Sequence, residues 1–130
     1  MTDHIDDYDG ITRVVQLYID GSKTGDVGKL KEAFHDDAAM FGHVGGHRFD
    51  VPIAQFFEFA AASPMDVAGS YRARITSVQQ VGDAAVATLA EDGCWGEVSF
   101  VDYFSLARFD GTWKIVNKTF AHTGGEMPQA

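Results

Sequence analysis

The stretch VDYFSLARFDGTWKIVNKTF, residues 101–120, decides the fold. Aromatic and β-branched residues crowd both sides of Asp110-Gly111, a pair favoured in two-residue primed turns because both central positions need positive φ. Two long strands therefore pair antiparallel. A turn this tight also sets the register, placing Phe109 opposite Thr112, Leu106 opposite Ile115 and Tyr103 opposite Lys118. One face then carries Phe100, Asp102, Phe104, Leu106, Trp113 and Ile115, while the other carries Val101, Tyr103, Ser105, Val116, Lys118, Phe120 and His122. Both faces hold apolar side chains, so both need cover.

Working outward, the same period of two extends upstream. Ser70 to Val81, Ala84 to Glu91 and Trp95 to Phe109 read as strands parted by Gly82-Asp83 and Asp92-Gly93, with Thr112 to His122 as the last. The first half has a different period. Ile11, Val14, Val15, Tyr18 and Ile19 recur at helical spacing between Asp9 and Lys23, and Asp26 caps a short helix that buries Val27, Leu30, Ala33 and Phe34. Gly45-Gly46 joins two short strands, Ala38 to Val44 and His47 to Val51, and Pro52 opens a third helix, Ile53 to Ala62. Helices first and hairpin-joined strands afterwards give an α+β class, in which three helices close a strongly curved antiparallel sheet around a pocket. A chain of 130 residues makes one domain, 1–130, with flexible ends at about 1–6 and 124–130.

A formal charge of −9 repels phosphate backbones and anionic lipid, which excludes nucleic acid as the expected partner. Asp3, Asp6, Asp7 and Asp9 read as solvated surface. Cys94 is the only cysteine, so no internal disulfide forms, and no export signal or span of ~20 apolar residues appears. The cytoplasm is the expected compartment. Phosphate-binding loops, nucleophile elbows and metal-ligand spacings are missing, so neither a cofactor nor a metal is expected.

The order of elements, the Tyr18-Ile19 helix, the passage FHDDAAMFG at Phe34 to Gly42 and the hairpin from Asp102 to Phe120 resemble the nuclear-transport-factor-two-like superfamily. Within it they are most similar to the SnoaL-like branch of small bacterial proteins labelled lumazine-binding. The resemblance implies a conical, cystatin-like fold, an interior pocket and frequent dimerisation. It also invites comparison with the steroid isomerases of that superfamily. Tyr18 matches their oxyanion-donating tyrosine, but their general base falls on Gly42 and their second donor on Ser105. Losing the base costs on the order of 10²–10⁴ in rate, so an isomerase of that type is not expected.

The candidate ligand contacts are Tyr18, His43, Phe57, Tyr103, Lys118 and His122. Directly opposed side chains lie about 5 Å apart, so Tyr103 and Lys118 present a hydroxyl and an ammonium side by side on the pocket floor. Histidine exchanges protons near neutral pH, so His43, next to Gly42, is a candidate for the missing base, although strict alternation aims it to the other side. His122 ends the last strand near the pocket mouth. Phe56 and Phe57 form apolar wall, and Trp95 lies at the rim. Tyr18, His43 and Lys118 are the candidate catalytic groups. The expected function is a homodimer, paired through the outer sheet face, that binds an apolar, aromatic or polycyclic small molecule. A cofactor-free cyclase, dehydratase or isomerase and a protein-interaction module are the alternatives.

Overall fold

The first helix starts further back than Asp9, although its buried apolar stripe begins only at Ile11. In the computed structural model, which describes residues 4–127, α1 spans His4–Thr24 and buries Ile11, Val14, Val15, Tyr18 and Ile19 along one side. Asp7 lies on that side too. It is 5% exposed, pairs with Arg108 and accepts a hydrogen bond from Gln80 Nε2 at 3.1 Å. The expectation of four solvated aspartates is thus corrected for Asp7, because the strand residue Arg108 brings a compensating charge under the helix. Asp6 and Asp9 are exposed, and Asp3 lies outside the described residues.

Asp26 Oδ1 accepts from Lys29 N at 3.2 Å and caps α2, Val27–Ala33. Phe34, expected in this helix, instead starts β1, Phe34–Val44. Gly45 and Gly46, at φ 56° and 90°, turn the chain into β2, His47–Pro52. Pro52 then sits at the N-cap of α3, Ile53–Ala62. β3 (Arg72–Val81), β4 (Ala84–Cys94), β5 (Val98–Phe109) and β6 (Thr112–Gly124) complete one sheet in the order β2-β1-β6-β5-β4-β3. All neighbours are antiparallel except β1 and β6, whose parallel pairing joins the two halves of the chain. Three helices against a curved six-stranded sheet is the cone expected.

Two local readings of the strands need correction. The β4–β5 connection turns at Trp95, Gly96 and Glu97 rather than at Asp92-Gly93. Asp92 and Gly93 form a bulge opposite Ser99, and a Cβ at Gly93 would lie 2.0 Å from the Ser70 carbonyl oxygen, so only glycine fits that approach. The second correction concerns the register after Asp110-Gly111. Phe109 faces Thr112 and Leu106 faces Ile115 as expected, but Ser105 faces Asn117, leaving Val116 as an extra residue in β6. Lys118 consequently faces Phe104, and Tyr103 faces Thr119. One inserted residue exchanges the two faces of the strand beyond it. The Tyr103–Lys118 pair expected from a continuous ladder does not form.

Candidate functional site

Inward positions on three adjacent strands build the floor of the cone. Ala85, Ala87, Leu89 and Glu91 of β4, Phe100, Asp102 and Phe104 of β5, and Lys118 and Phe120 of β6 are all buried. The ladder sets Glu91 opposite Phe100, Asp102 opposite both Leu89 and Phe120, and Lys118 opposite Phe104. Asp102 is therefore the diagonal neighbour of both Glu91 and Lys118 on one face, at spacings of about 7–8 Å between Cα atoms. Lys118 owes its place in this set to the Val116 bulge.

α3 packs on β1 and β2, beside this floor. Its Phe56 and Phe59, with Met40, Met65, Trp95, Phe100, Phe120 and residues of β2, enclose a cavity of about 390 Å³. That volume suits a small organic molecule. Lys118 also lines it and is the buried charge among those residues, at 4% exposure. Its Nζ lies 4.1 Å from the centroid of the Phe56 ring, 5.1 Å from that of Tyr18 and 5.2 Å from that of Phe120. Three aromatic rings attract the ammonium. Among the described residues no hydrogen bond or ion pair engages it.

Behind Lys118 lies a buried polar cluster. Tyr71 donates its hydroxyl to Glu91 Oε2 at 2.5 Å, while Glu91 Oε1, both oxygens of Asp102, the Tyr18 hydroxyl and Ser22 Oγ are buried without a hydrogen-bond partner among the described residues. Burial raises the Glu91 carboxyl well above the usual range and the nearby Asp102 carboxylate adds to the rise, against the opposing pull of Lys118 and the Tyr71 hydroxyl. Burial likewise raises the Tyr18 and Tyr71 phenols, with the two carboxylates adding to the rise. The raised Glu91 thus favours its protonated form, with Asp102 and Lys118 beside it on the same face. A protonated carboxyl and a second carboxyl thus stand behind a lysine that lines an apolar cavity. Isolated buried charges cost several kcal/mol each, which makes such a cluster a mark of function more than of stability.

The residues expected at the site separate. Tyr18 is fully buried within the cluster and stacks on Phe56 at 5.8 Å, without lining the cavity. Phe57 packs edge-on against Phe34 at 5.7 Å and also stays outside the lining. Tyr103 is 51% exposed on the convex face, so its expected place beside Lys118 is corrected. His43 is exposed and faces Arg48 and Ala121 across its two ladders. His122 accepts a hydrogen bond from Gly45 N at 3.2 Å through Nδ1, tying the tip of the β1–β2 hairpin to β6.

Gly42 cannot give way to a carboxylate: a Cβ there would lie 2.6 Å from the Phe120 carbonyl oxygen and 2.8 Å from its ring. Ser105 is exposed. Glu91 is the site residue that the sequence reading missed, and Asp102, read there as a structural residue on the face turned to a partner subunit, lies inside. The signal for Glu91 was available, since it continues the inward alternation of Ala85, Ala87 and Leu89.

Trp95 holds a positive φ of 52° in the β4–β5 turn. Its backbone N donates to Met65 O at 2.8 Å and its indole Nε1 to Ser63 O at 2.9 Å, so the turn is fastened to the end of α3. That strain sets an aromatic edge against the cavity. Burial raises the Cys94 thiol, with Glu91 and Asp102 reinforcing the rise, and leaves it a poor nucleophile. No helix of the described residues is long and apolar enough to cross a membrane.

A family model described as "Putative lumazine-binding" matches residues 6–121. An NTF2-like protein of unknown function from Methylobacillus flagellatus KT is 34% identical, with 94% of this chain and 96% of that chain covered and a TM-score of 0.84. A second NTF2-like protein of unknown function, from Shewanella baltica OS155, is 27% identical over 96% of this chain and all of its own, with a TM-score of 0.86. Among curated proteins, Aldolase FrzH from Cladobotryum sp is 25% identical over 122 residues, 92% of this chain and 96% of that protein.

Proposed function

From the premise that this chain belongs to the lumazine-binding-like family of NTF2-like proteins, we propose that it binds a small, mostly apolar, carbonyl-bearing molecule in the cone and performs cofactor-free acid–base chemistry on it. The observation that carries this reading is the Lys118 ammonium at the cavity wall, backed by a carboxyl pair with a raised Glu91. Phenylalanine, methionine and tryptophan side chains supply apolar contact for the ligand body. Lys118 is placed to donate to the ligand's oxygen, and the Glu91–Asp102 pair to take up or return a proton through it. The name of the relative Aldolase FrzH supports a carbonyl as the reacting group.

Deuterium exchange at the methyl group of 2-acetonaphthone in D₂O tests this. The protein should accelerate exchange well above buffer, and Lys118→Met should lose on the order of 10²-fold or more, as removal of a positioned acid–base group does. Binding of the ketone with no exchange above buffer would remove the catalytic half of the reading and leave a carrier.

The same reading includes a homodimer. Phe41, Thr119, Tyr103 and Thr88 form one row across β1, β6, β5 and β4 on the outer face, and both aromatics are exposed. Light scattering at micromolar concentration should give twice the mass of the chain and fall to a monomer for Tyr103→Glu. A monomer in the parent protein would end the dimer proposal.

A further inference from the structure

The ammonium of Lys118 faces a cavity, lies among three aromatic rings and has no acceptor from the described residues. A lysine whose task is structural compensation would sit in an ion pair with the nearby carboxyls. Lys118 instead neighbours them without an ion pair and lies within reach of whatever fills the cavity. Of the two carboxyls behind it, Glu91 accepts from Tyr71 through one oxygen only and Asp102 has no partner among the described residues, so they can supply a proton and an acceptor.

On this geometry, and resting on the carbonyl reading above, we infer that Lys118 is a covalent catalyst that forms an imine with an apolar aldehyde or ketone. The ammonium gives a proton to the ionised member of the Glu91–Asp102 pair, and the free amine adds to the carbonyl carbon as the C=O π bond opens. A nitrogen proton moves to the new oxygen, giving a neutral carbinolamine. The carboxyl returns its proton to the hydroxyl, which leaves as water while the nitrogen lone pair forms C=N. The balance is ammonium plus carbonyl giving protonated imine plus water, with the carboxylate regenerated.

The protonated imine retains the single positive charge that the rings of Phe56, Tyr18 and Phe120 surround, so their attraction serves substrate-free and covalent states alike. It also draws electrons from the adjacent carbon, whose proton the carboxylate can then accept to leave an enamine. Carbon–carbon bond formation or cleavage next to a carbonyl proceeds through such a species.

Trapping with 2-naphthaldehyde and sodium cyanoborohydride tests the inference, because hydride fixes the imine as a stable secondary amine. Peptide mass spectrometry then compares Lys118 with Lys23, Lys29, Lys31 and Lys114 in the same sample. The expected result is one adduct per chain, at Lys118, at least tenfold above any other lysine, and abolished by urea before the aldehyde is added. Thermal shift with 2-acetonaphthone, without reductant, reports binding separately. A ketone that stabilises the protein while Lys118 stays unmodified by the aldehyde would overturn the covalent step and spare the binding reading. Neither a shift nor an adduct would overturn both.

Discussion

The Lys118 ammonium lies 4.1 Å from the centroid of the Phe56 ring, a contact that joins the floor of the sheet to the lid helix across the cavity wall. Lid and floor are thereby held by an attraction that a ligand oxygen can share. A buried hydrogen bond to a charged donor contributes about 1.5–3 kcal/mol, enough to rank ligands that carry an acceptor above plain hydrocarbons.

The carboxyl pair gives stability a pH dependence. Glu91 binds its proton more tightly folded than unfolded, so the folded state holds more protons above the ordinary carboxylate range. Stability contributed by the protonated form is present below that range and declines as pH rises towards the raised folded value. Glu91→Gln should flatten this decline and gain stability at pH 7 relative to the parent, with little difference at pH 4. Urea unfolding at several pH values measures it; an unchanged slope in the variant would refute the assignment.

Gly42 is held by close approach of β6 rather than by its own backbone angle. An added methyl must displace Phe120, so Gly42→Ala should cost about 1–3 kcal/mol as overpacking does. Because Phe120 lines the cavity, ligand affinity should fall as well. Urea unfolding together with ligand titration checks both effects, and a variant as stable as the parent would contradict the contact.

Val116 is the extra residue of the β5–β6 ladder. Its deletion leaves Ser105 facing Asn117 and Phe104 facing Lys118, so the lysine stays inside. Ligand affinity should survive within about tenfold, or about 1.4 kcal/mol. In a ladder without a bulge the same deletion would move Lys118 to the opposite face, so a change in affinity beyond that range would argue against the register.

Much of this fold is legible in the sequence because its turns carry their own chemistry. Gly45-Gly46 and Asp110-Gly111 need positive φ, and Asp26 and Pro52 mark helix starts. The bulge at Val116 is not legible, since valine is at home in a regular strand and nothing local distinguishes a paired residue from an unpaired one. That single position moved Lys118 from the face of Tyr103 to the face of Asp102, and with it the polar half of the site. Asp7 was hidden for another reason: its partner Arg108 lies 101 residues away, and only the finished packing brings them together. Glu91 was readable as a charge at an inward strand position, but its meaning depends on Asp102 and Tyr71 arriving from other strands.

Fluorescence of Trp95, which lines the cavity, reports ligand entry once Trp113 is replaced by Phe. Titration of 2-acetonaphthone into that background and into the same background with Lys118→Met compares the pocket with and without its buried charge. Saturable one-to-one quenching, at least tenfold tighter with lysine present, is the expected result. Equal affinity in the two proteins would contradict a ligand-facing role for Lys118.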